Sequence, residues 1–401
     1  MPSMIEVQLR HAKAMLQRLR GLQQEFEVGG DEQIRSLDRF SERWSQIRHA
    51  RDTAWKHVRE DATAQQIVME IPEAGTALIA LRAAPEVRMD WLMAAYSTAA
   101  KTGNKRVEAA MFGQMGMLCL QQGRTESAIT YLEGSVELFE ELGDRDGQLA
   151  ALGNLGIAHR VFGNPVKALS FHETALRIAR DVGDRREEAN CLGNLGTCYR
   201  HLGDSERALH CQQQRLEIAK EIGDVVGQRN ATGNTGTLLR NQRRYSEART
   251  FHEQSLELSR KLGDRRGQAV DHSHVSAVLV ELGEIAQATE HARIAVDLFR
   301  EILDRRGEAY ALGDLANCCL AVGNTDLACS LYREQIAIAQ EIKEPRCEAI
   351  GRMNLAEELF PLGFRREAIE QAKTAEAIFA ESCDSYAEHA RELLTTWNCD
   401  A

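Results

Sequence analysis

The segment GDRREEANCLGNLGTCYRHLGD, residues 183–204, recurs with small changes at a spacing of 40 residues. It reads GDRDGQLAALGNLGIAHRVFGN from residue 143 and GDVVGQRNATGNTGTLLRNQRR from residue 223. Each copy begins at one turn position and reaches a second turn position near its end. The first position holds Gly103, Gly143, Gly183, Gly223, Gly263, Leu303 and Lys343, and the second holds Gly123, Gly163, Gly203, Arg243, Gly283, Gly323 and Gly363. Because self-similarity at such a period marks repeat architectures, the sequence predicts tandem 40-residue units.

Each unit contains the signals of two helices. Asp184 follows the first turn as a natural N-cap, and Glu187 three residues later matches a capping box. Leu192, Leu195 and Tyr199 then recur at helical spacing. We call this first helix of each unit helix A; the glycine of the second turn ends it, and helix B follows. No alternation typical of β-strands is visible, so the pattern predicts an all-α fold.

A single helix hairpin of this length cannot bury its own apolar faces, whereas stacked neighbours can. The sequence therefore predicts a right-handed α-solenoid of about seven hairpins over residues 104–383. An N-terminal helical bundle is expected over residues 1–103 and a capping helix over residues 384–401. The apolar side chains of that last helix favour packing on the seventh repeat, with a homodimer contact as the alternative; they are Leu393, Leu394 and Trp397.

One face of helix A carries polar side chains instead of apolar ones. Positions i, i+4, i+7 and i+11 of a helix share a face, and asparagine is a poor residue for a helix interior. Its repetition there indicates a use for the side chain, and Arg160, Arg200 and Arg240 lie at the edge of the same face. The predicted partner-binding residues are Asn154, Arg160, Asn190, Asn194, Thr197, Arg200, His201, Asn230, Asn234, Thr237, Arg240, Asn241, His274, Asp314 and Asn317.

Two interpretations of this helix-A face stay open. The amides can pair with the backbone of an extended peptide while the arginines bind carboxylates. Alternatively, the amides are solvated or form hydrogen bonds between repeats, and the arginines pair with acidic residues of the repeats. The glycine pairs, such as Gly153 with Gly156 and Gly193 with Gly196, line another strip of helix A, where they are expected to allow close helix approach.

The spaced consensus resembles the tetratricopeptide repeat (TPR). It has Leu-Gly at 155–156 and 195–196, an aromatic residue at Tyr199 and small residues at Ala168 and Ala208. The segment ALHCQQQRLEIAKEIGD, residues 208–224, is similar to the TPR arrays of Pins-type cell-polarity adaptors. That resemblance implies concave Asn and Arg residues that bind extended, often acidic, peptides. It would place this role on Asn154, Asn194, Asn234, Arg200 and Arg240, and it fades after residue 264.

The first 103 residues do not follow the 40-residue period. Their pattern predicts a core stripe of Leu37, Phe40, Trp44 and Ile47, with Trp55 and Trp91 as further anchors. The region resembles the helical lead-in to the TPRs of bacterial NB-ARC (STAND-type) signalling ATPases, a resemblance carried by Phe40, Trp44, Ile47 and RMDWLMAA from Arg88. It implies a bacterial source and a sensor role, although the sequence holds no GxxxxGK[ST] string. The predicted helices are 4–27, 31–60, 62–70, 73–82 and 85–102.

Charge and chemistry exclude several classes of function. The net charge of −11 disfavours nucleic acid and anionic membranes as partners, and no apolar run approaches a membrane span. Cys191, Cys198, His210 and Cys211 lack the spacing of a metal site, so buried thiols in a reducing cytoplasm are expected. His172 and His252 share a register on helix B, which is more typical of helix packing than of catalysis. We therefore expect no enzyme, no cofactor and no metal.

The sequence thus predicts a non-enzymatic scaffold or sensor module that holds an extended protein or peptide segment on the helix-A face. The alternative is a ligand-responsive regulatory subunit that controls a separate effector enzyme. A helical bundle followed by seven repeats also resembles the layout of peptide-sensing Rap-type regulators, and this resemblance implies the second interpretation.

Overall fold

A computed structural model describes residues 3–28, 30–381 and 386–399. Within these ranges the chain forms twenty α-helices and no β-strand. The architecture is an all-α repeat solenoid, as predicted. By internal contacts the chain separates into two compact units, Met1–Cys211 and Gln212–Ala401, which are described in turn.

The first five helices of unit 1 share one hydrophobic core. Phe40 and Ile47 are buried in it, and Leu37 and Trp44 pack against it, which confirms the predicted stripe. The Trp44 ring lies 5.6 Å from the ring of Trp91, which is also buried. These helices are α1 (Met4–Val28), α2 (Gly30–His57), α3 (Ala62–Ala74), α4 (Thr76–Arg82) and α5 (Pro85–Thr102).

Two expectations for this bundle were wrong. Trp55 is not a core anchor, because it is 40 % exposed near the end of α2. The break expected before residue 73 occurs instead at Gly75, so α3 runs through Pro72 to Ala74. Gly75 approaches Leu19 so closely that an added Cβ would lie 2.4 Å from the Leu19 Cδ1 atom. The helix α3 therefore ends at Gly75, which packs closely on α1, and not at the proline.

The remaining helices alternate as helix A and helix B of successive repeats and end in one further helix. Unit 1 contains α6 (Lys105–Gln121), α7 (Thr125–Leu142), α8 (Arg145–Val161), α9 (Pro165–Val182) and α10 (Arg185–His201), and α11 (Ser205–Glu221) contains the unit boundary. Unit 2 contains α12 (Val225–Asn241), α13 (Tyr245–Lys261), α14 (Arg265–Glu281), α15 (Ile285–Glu301), α16 (Arg305–Ala321), α17 (Thr325–Glu341), α18 (Pro345–Leu359), α19 (Arg365–Glu381) and α20 (Tyr386–Cys399).

The turn positions read from the sequence have left-handed backbone geometry throughout. Glycine occupies most of them, but Arg243, Leu303 and Lys343 adopt φ values of 60°, 57° and 56° in the same registers. The repeat geometry is therefore kept even where the residue that best tolerates positive φ is absent. The positive-φ glycines are Gly103, Gly123, Gly143, Gly163, Gly183, Gly203, Gly223, Gly263, Gly283, Gly323 and Gly363.

The aspartates after the first turn cap helix A as expected. In α10 the carboxylate of Asp184 accepts hydrogen bonds from the amides of Arg186 and Glu187. The return bond of a capping box is replaced, because the Asp184 amide donates to the carbonyl of Ala179 and the Glu187 carboxylate accepts from Asn190. The N-cap is thus joined to the preceding helix through its backbone.

In the pair Gly153 and Gly156 only the second glycine is needed for close packing, and Gly236 occupies the same register two repeats later. A Cβ at Gly156 would lie 2.5 Å from the ring of His172, and one at Gly236 would lie 2.8 Å from the ring of His252. At Gly153, by contrast, no packed atom lies within 4 Å of the added Cβ. The prediction of close helix approach is therefore confirmed for Gly156 and Gly236 and wrong for Gly153.

At the C-terminal end of unit 2, α20 packs against α18 and α19. Trp397 is buried and stacks on Phe360, with ring centroids 4.4 Å apart and planes 9° apart. Leu393 and Leu394 are partly buried against the same core. The apolar side chains of α20 thus cover the final repeat.

Candidate ligand-binding surface

On the helix-A face of unit 1, two of the predicted polar groups bond within their own helix. The Asn190 amide donates to Glu187, and the Thr197 hydroxyl donates to the carbonyl of Gly193. Asn154 and Asn194 are half-buried, and their side chains make no hydrogen bond to any described residue. In unit 2 the same holds for the exposed side chain of Asn234. Hydrogen bonding between repeats therefore does not explain these three amides.

The arginines at the edge of the face are also unpaired. Within the described residues, Arg160 and Arg240 make no hydrogen bond or ion pair, and Arg200 contacts only the ring of His201, at 3.2 Å. The desolvation of His201 and the nearby positive charges of Arg200 and Arg160 lower its pKa. The alternative that these arginines pair with acidic residues of the repeats is therefore wrong for the described part of the chain.

In unit 2, the helix-A faces of three successive repeats line a cavity of about 350 Å³. Arg240 enters it from α12, His274 from α14 and Asp314 from α16. All three were predicted to be partner-binding residues from their repeat register. The structure thus brings together side chains that are 34 and 40 positions apart in the sequence (240 to 274, and 274 to 314). The other lining residues are Arg266, Val270, Ser273, Ala277, Phe299, Arg306, Gly307 and Tyr310.

A second cavity of about 550 Å³ shares Arg240, Ala277 and Asp314 with the first. It adds two more of the predicted residues, Asn241 and Asn317, which are both exposed. The two cavities form one surface along α12, α14 and α16, which we call the unit 2 groove. The remaining lining residues are Tyr245, Ser276, Val280, Glu281 and Tyr386.

Not every predicted residue joins this groove. Asn230, Asn234 and Thr237 line neither cavity, and the Thr237 hydroxyl donates to the carbonyl of Gly233 in its own helix. Asn317 lines the second cavity, but its side-chain oxygen already accepts a hydrogen bond of 2.5 Å from the Tyr332 hydroxyl. The predicted asparagines therefore contribute less to the groove than Arg240, His274 and Asp314 do.

In the groove, the unpaired cation Arg240 lies beside two groups whose protonation depends on burial, His274 and Asp314. Desolvation raises the pKa of Asp314 to about 6, although the Ser273 hydroxyl and the Arg240 charge both act to lower it. Desolvation, together with Arg240, lowers the pKa of His274 to about 4, and the Nδ1 atom of that ring has no hydrogen-bond partner. At neutral pH the floor of the groove therefore holds a cation, a neutral imidazole and a carboxylate that is costly to ionise.

Two further arginines, which the sequence pattern did not predict as binding residues, line the groove. Arg266 donates to Asp304 at 2.8 Å, and Arg306 donates to Glu344 at 3.1 Å. Arg106 makes the same contact with Asp144 in unit 1, so this register of helix A carries a bond to the N-cap of the next helix A. Arginine occupies five of the seven copies of this register, at 106, 186, 266, 306 and 346, and this recurrence could have identified Arg266 and Arg306 from the sequence.

The histidines and cysteines behave as packing residues. His172 and His252 are buried against the close-packed glycines, as expected, and burial lowers their pKa values to about 4 and about 3. Cys191 and Cys211 are buried thiols whose pKa values rise to about 12 and about 11 through desolvation. No group of three or more metal-ligating side chains is present among the described residues. Cys383 lies outside the described residues.

Chemically, the unit 2 groove can hold a segment that offers both an anion and hydrogen-bond donors. Arg240 can receive a carboxylate, and the Nδ1 atom of His274 or the carboxyl group of Asp314 can take part in hydrogen bonds. A search for helices long and apolar enough to cross a membrane found none among the described residues.

Comparison with known proteins agrees with this architecture. Tetratricopeptide repeat models match residues 107–181, 148–221, 230–262 and 311–346. No curated protein sequence matches the chain.

Solved structures with a similar fold include the following three. A Signal Transduction ATPase with Numerous Domains (STAND) protein with a tetratricopeptide repeat sensor from Pyrococcus horikoshii is 17 % identical, with a TM-score of 0.59; the match covers 92 % of this chain and 56 % of that one. Aspartyl phosphate phosphatase F from Bacillus subtilis is 12 % identical, with a TM-score of 0.59 and coverage of 90 % and 94 %. The apo form of RapI is 15 % identical, with a TM-score of 0.55 and coverage of 66 % and 95 %. The repeat models, the 40-residue period and these folds agree that the chain contains tetratricopeptide repeats, matched over residues 107–221, 230–262 and 311–346.

Proposed function

We propose that this protein is a non-catalytic binding module that holds an extended protein or peptide segment on its helix-A face. The unit 2 groove is the main contact in this proposal, and the unpaired asparagines and arginines of unit 1 provide a second polar surface. The observation that carries the proposal is the convergence of Arg240, His274 and Asp314 on one cavity, with Arg240 left without an ionic partner.

The free-energy cost of leaving a partly buried charge unpaired supports a binding role for Arg240. A charged side chain in a concave, partly desolvated site is normally paired, because burial penalises an isolated charge. Arg240 is half-buried and unpaired, and its charge already acts on His252, His274 and Asp314. A carboxylate supplied by a partner would neutralise it, so the proposal favours acidic partner segments.

The proposal is tested by the binding of the full chain to an array of short acidic peptides and to the same peptides with Asp and Glu replaced by Asn and Gln. Wild-type protein should prefer the acidic set. Arg240→Ala should weaken that binding about tenfold, the loss expected for one charge-assisted hydrogen bond. Arg293→Ala is the matched control, since Arg293 is an exposed and unpaired arginine on the helix-B segment α15. Equal binding by wild type and both variants would contradict the proposal.

A regulatory role is the second candidate. The solved STAND protein is described as carrying its tetratricopeptide repeats as a sensor, and the match to it covers 92 % of this chain. In that role, peptide binding would change the dimensions of the solenoid and thereby control a separate effector. Small-angle scattering with and without a bound acidic peptide distinguishes the two candidates, since a rigid scaffold keeps its radius of gyration.

The proposal places the protein in the cytoplasm. The described cysteines with resolved side chains are all free and buried, a state that suits a reducing compartment. They are Cys119, Cys191, Cys198, Cys211, Cys318, Cys319, Cys329 and Cys347.

A further inference from the structure

A cavity in the N-terminal bundle has a lining unlike that of the groove. It measures about 560 Å³ and lies between the end of α2, the start of α3 and the end of α5, entirely within unit 1. Its volume falls within the range of small-molecule sites. The lining residues are Trp55, Lys56, Val58, Arg59, Gln65, Ser97, Thr98, Lys101 and Thr102.

Three cations line this cavity, and no carboxylate does among the described residues. Lys56, Arg59 and Lys101 are exposed, and none of them forms an ion pair or a hydrogen bond with the described part of the chain. Of the nearby acids, Asp61 caps α3 and Asp52 pairs with Arg51, and the exposed Glu60 does not line the cavity. A concave site with one sign of charge concentrates positive potential and attracts an anion, against the negative charge of the whole chain.

An aromatic ring lies at the same cavity. Trp55 is 40 % exposed, although tryptophan is a residue that folding usually buries. The Arg51 guanidinium lies 5.4 Å from the centre of the Trp55 ring. The exposed part of that ring offers a surface on which a nucleobase can stack, a contact that tolerates any base.

The polar groups around the cavity complete the pattern. The Ser97 hydroxyl donates to the carbonyl of Ala94, and the Thr102 hydroxyl donates to the carbonyl of Thr98. Their oxygens therefore remain as acceptors. The Gln65 side chain is half-buried and makes no hydrogen bond to the described residues, so it can both donate and accept. These groups suit the edge of a base or the hydroxyls of a ribose.

We propose that this cavity binds a nucleotide, with the phosphates at Lys56, Arg59 and Lys101 and the base on Trp55. This site is separate from the groove and does not depend on the function proposed for it. The phosphates would contact the three cations and the base would stack on the exposed ring of Trp55. Neither a nucleoside nor a phosphate chain alone should therefore bind as tightly as the whole nucleotide.

Calorimetric titration of the full chain with ATP, GTP, CTP and UTP tests the proposal, with adenosine and tripolyphosphate as the two halves of the ligand. At least one nucleotide should bind about tenfold more tightly than adenosine or tripolyphosphate does. Added salt should weaken the binding of that nucleotide. Trp55→Ala and the double variant Lys56→Gln/Lys101→Gln should each lose about tenfold in affinity. Phe162→Ala and Lys167→Gln, exposed positions of α8–α9 outside the cavity, should bind as wild type.

Circular dichroism establishes that each variant is folded at the titration temperature. The exposed lysine positions should leave the melting curve unchanged, whereas Trp55→Ala, which removes a ring that is only 40 % exposed, should lower the melting temperature. The absence of binding by all four nucleotides would overturn the proposal. Binding of tripolyphosphate as tight as that of the nucleotides, unchanged by Trp55→Ala, would also overturn it, and so would binding of a nucleic-acid oligomer in place of the nucleotides.

Discussion

The helix-A faces of α10 and α16 use the same repeat register for different chemistry. In unit 1 the register holds Asn194, a half-buried neutral amide without a hydrogen bond to the described residues. In unit 2 it holds Asp314, which is also half-buried but lines a cavity and has a pKa raised to about 6 by desolvation. The repeat period thus sets where a side chain lies, whereas the neighbouring helices set what it can do. Large depressions of histidine pKa occur at three sites in unit 2, His252, His272 and His274, and at one in unit 1, His172.

The largest expected effect is a selective loss of stability in unit 2 as the pH falls from 7 to 5. Burial lowers the pKa values of His252, His272 and His274 to about 3, about 4 and about 4. Because the folded-state pKa is depressed, the stability that each contributes is complete above the unfolded value and is lost as the pH falls toward the folded one. Each histidine should cost about 2 kcal/mol at pH 5.

Unit 1 has fewer such groups, with His172 the clearest at a pKa of about 4. Asp314 opposes the trend in unit 2, since its protonation below pH 6 restores about 1 kcal/mol. Hydrogen exchange measured by mass spectrometry at pH 7 and pH 5, corrected for intrinsic rates, should show the larger loss of protection in α13–α15. An equal loss in α8–α10 would remove the contrast between the units.

An exchange of residues at the shared register should have the next largest effect. Asp314→Asn should stabilise the protein by up to about 3 kcal/mol at pH 8, because the stability lost to Asp314 ionisation grows as the pH rises from about 4 to above 6. The gain should fall below about 1 kcal/mol at pH 4. Urea unfolding at the two pH values measures both figures.

The matched change in unit 1 is Asn194→Asp. Its side chain is half-buried and outside the unit 2 groove, so the change in unfolding free energy should stay within about 0.5 kcal/mol. The contrast between the two faces would be contradicted if Asn194→Asp lowered the free energy of unfolding at pH 8 by as much as Asp314→Asn raises it, because both carboxylates would then be equally desolvated.

Smaller effects are expected at the glycines of helix A, which recur in both units. Gly156→Ala and Gly236→Ala should each destabilise by about 1–3 kcal/mol, because the new Cβ would lie within 3 Å of the ring of His172 or His252. Gly153→Ala should stabilise by about 0.5–1 kcal/mol, since no packed atom lies near it and alanine favours a helix. Thermal melts compare the three variants, and destabilisation by Gly153→Ala would contradict this assignment.

Much of the fold could be predicted because turns and caps are local. The 40-residue register located left-handed turns even at Arg243, Leu303 and Lys343, and the aspartate N-caps followed from their position after each turn. Burial was harder to predict, since it depends on a neighbouring helix. Trp55 and Gly153 both fit an apolar or small-residue pattern, yet Trp55 is 40 % exposed and no packed atom lies within 4 Å of a Cβ added at Gly153.

The sequence predicted where the candidate site lies but not which of its side chains are paired. The face rule for helix A correctly grouped His274 with Asp314, and Arg240 lies at its edge. It could not show that Arg240 lacks an ionic partner or that Arg266 and Arg306 also line the cavity, because those facts depend on side chains from the next repeat. The asparagine register, by contrast, remains a prediction of sequence alone.

The most direct test of the groove as the partner-binding surface is site-specific photo-crosslinking. A benzoylphenylalanine at position 277, where Ala277 lines both cavities, is compared with one at Gln287, an exposed position on the helix-B segment α15. With an acidic peptide selected from the array, we predict a crosslinked adduct at position 277 that disappears on adding Arg240→Ala, and none at 287. An adduct at position 287 with none at 277 would contradict the account.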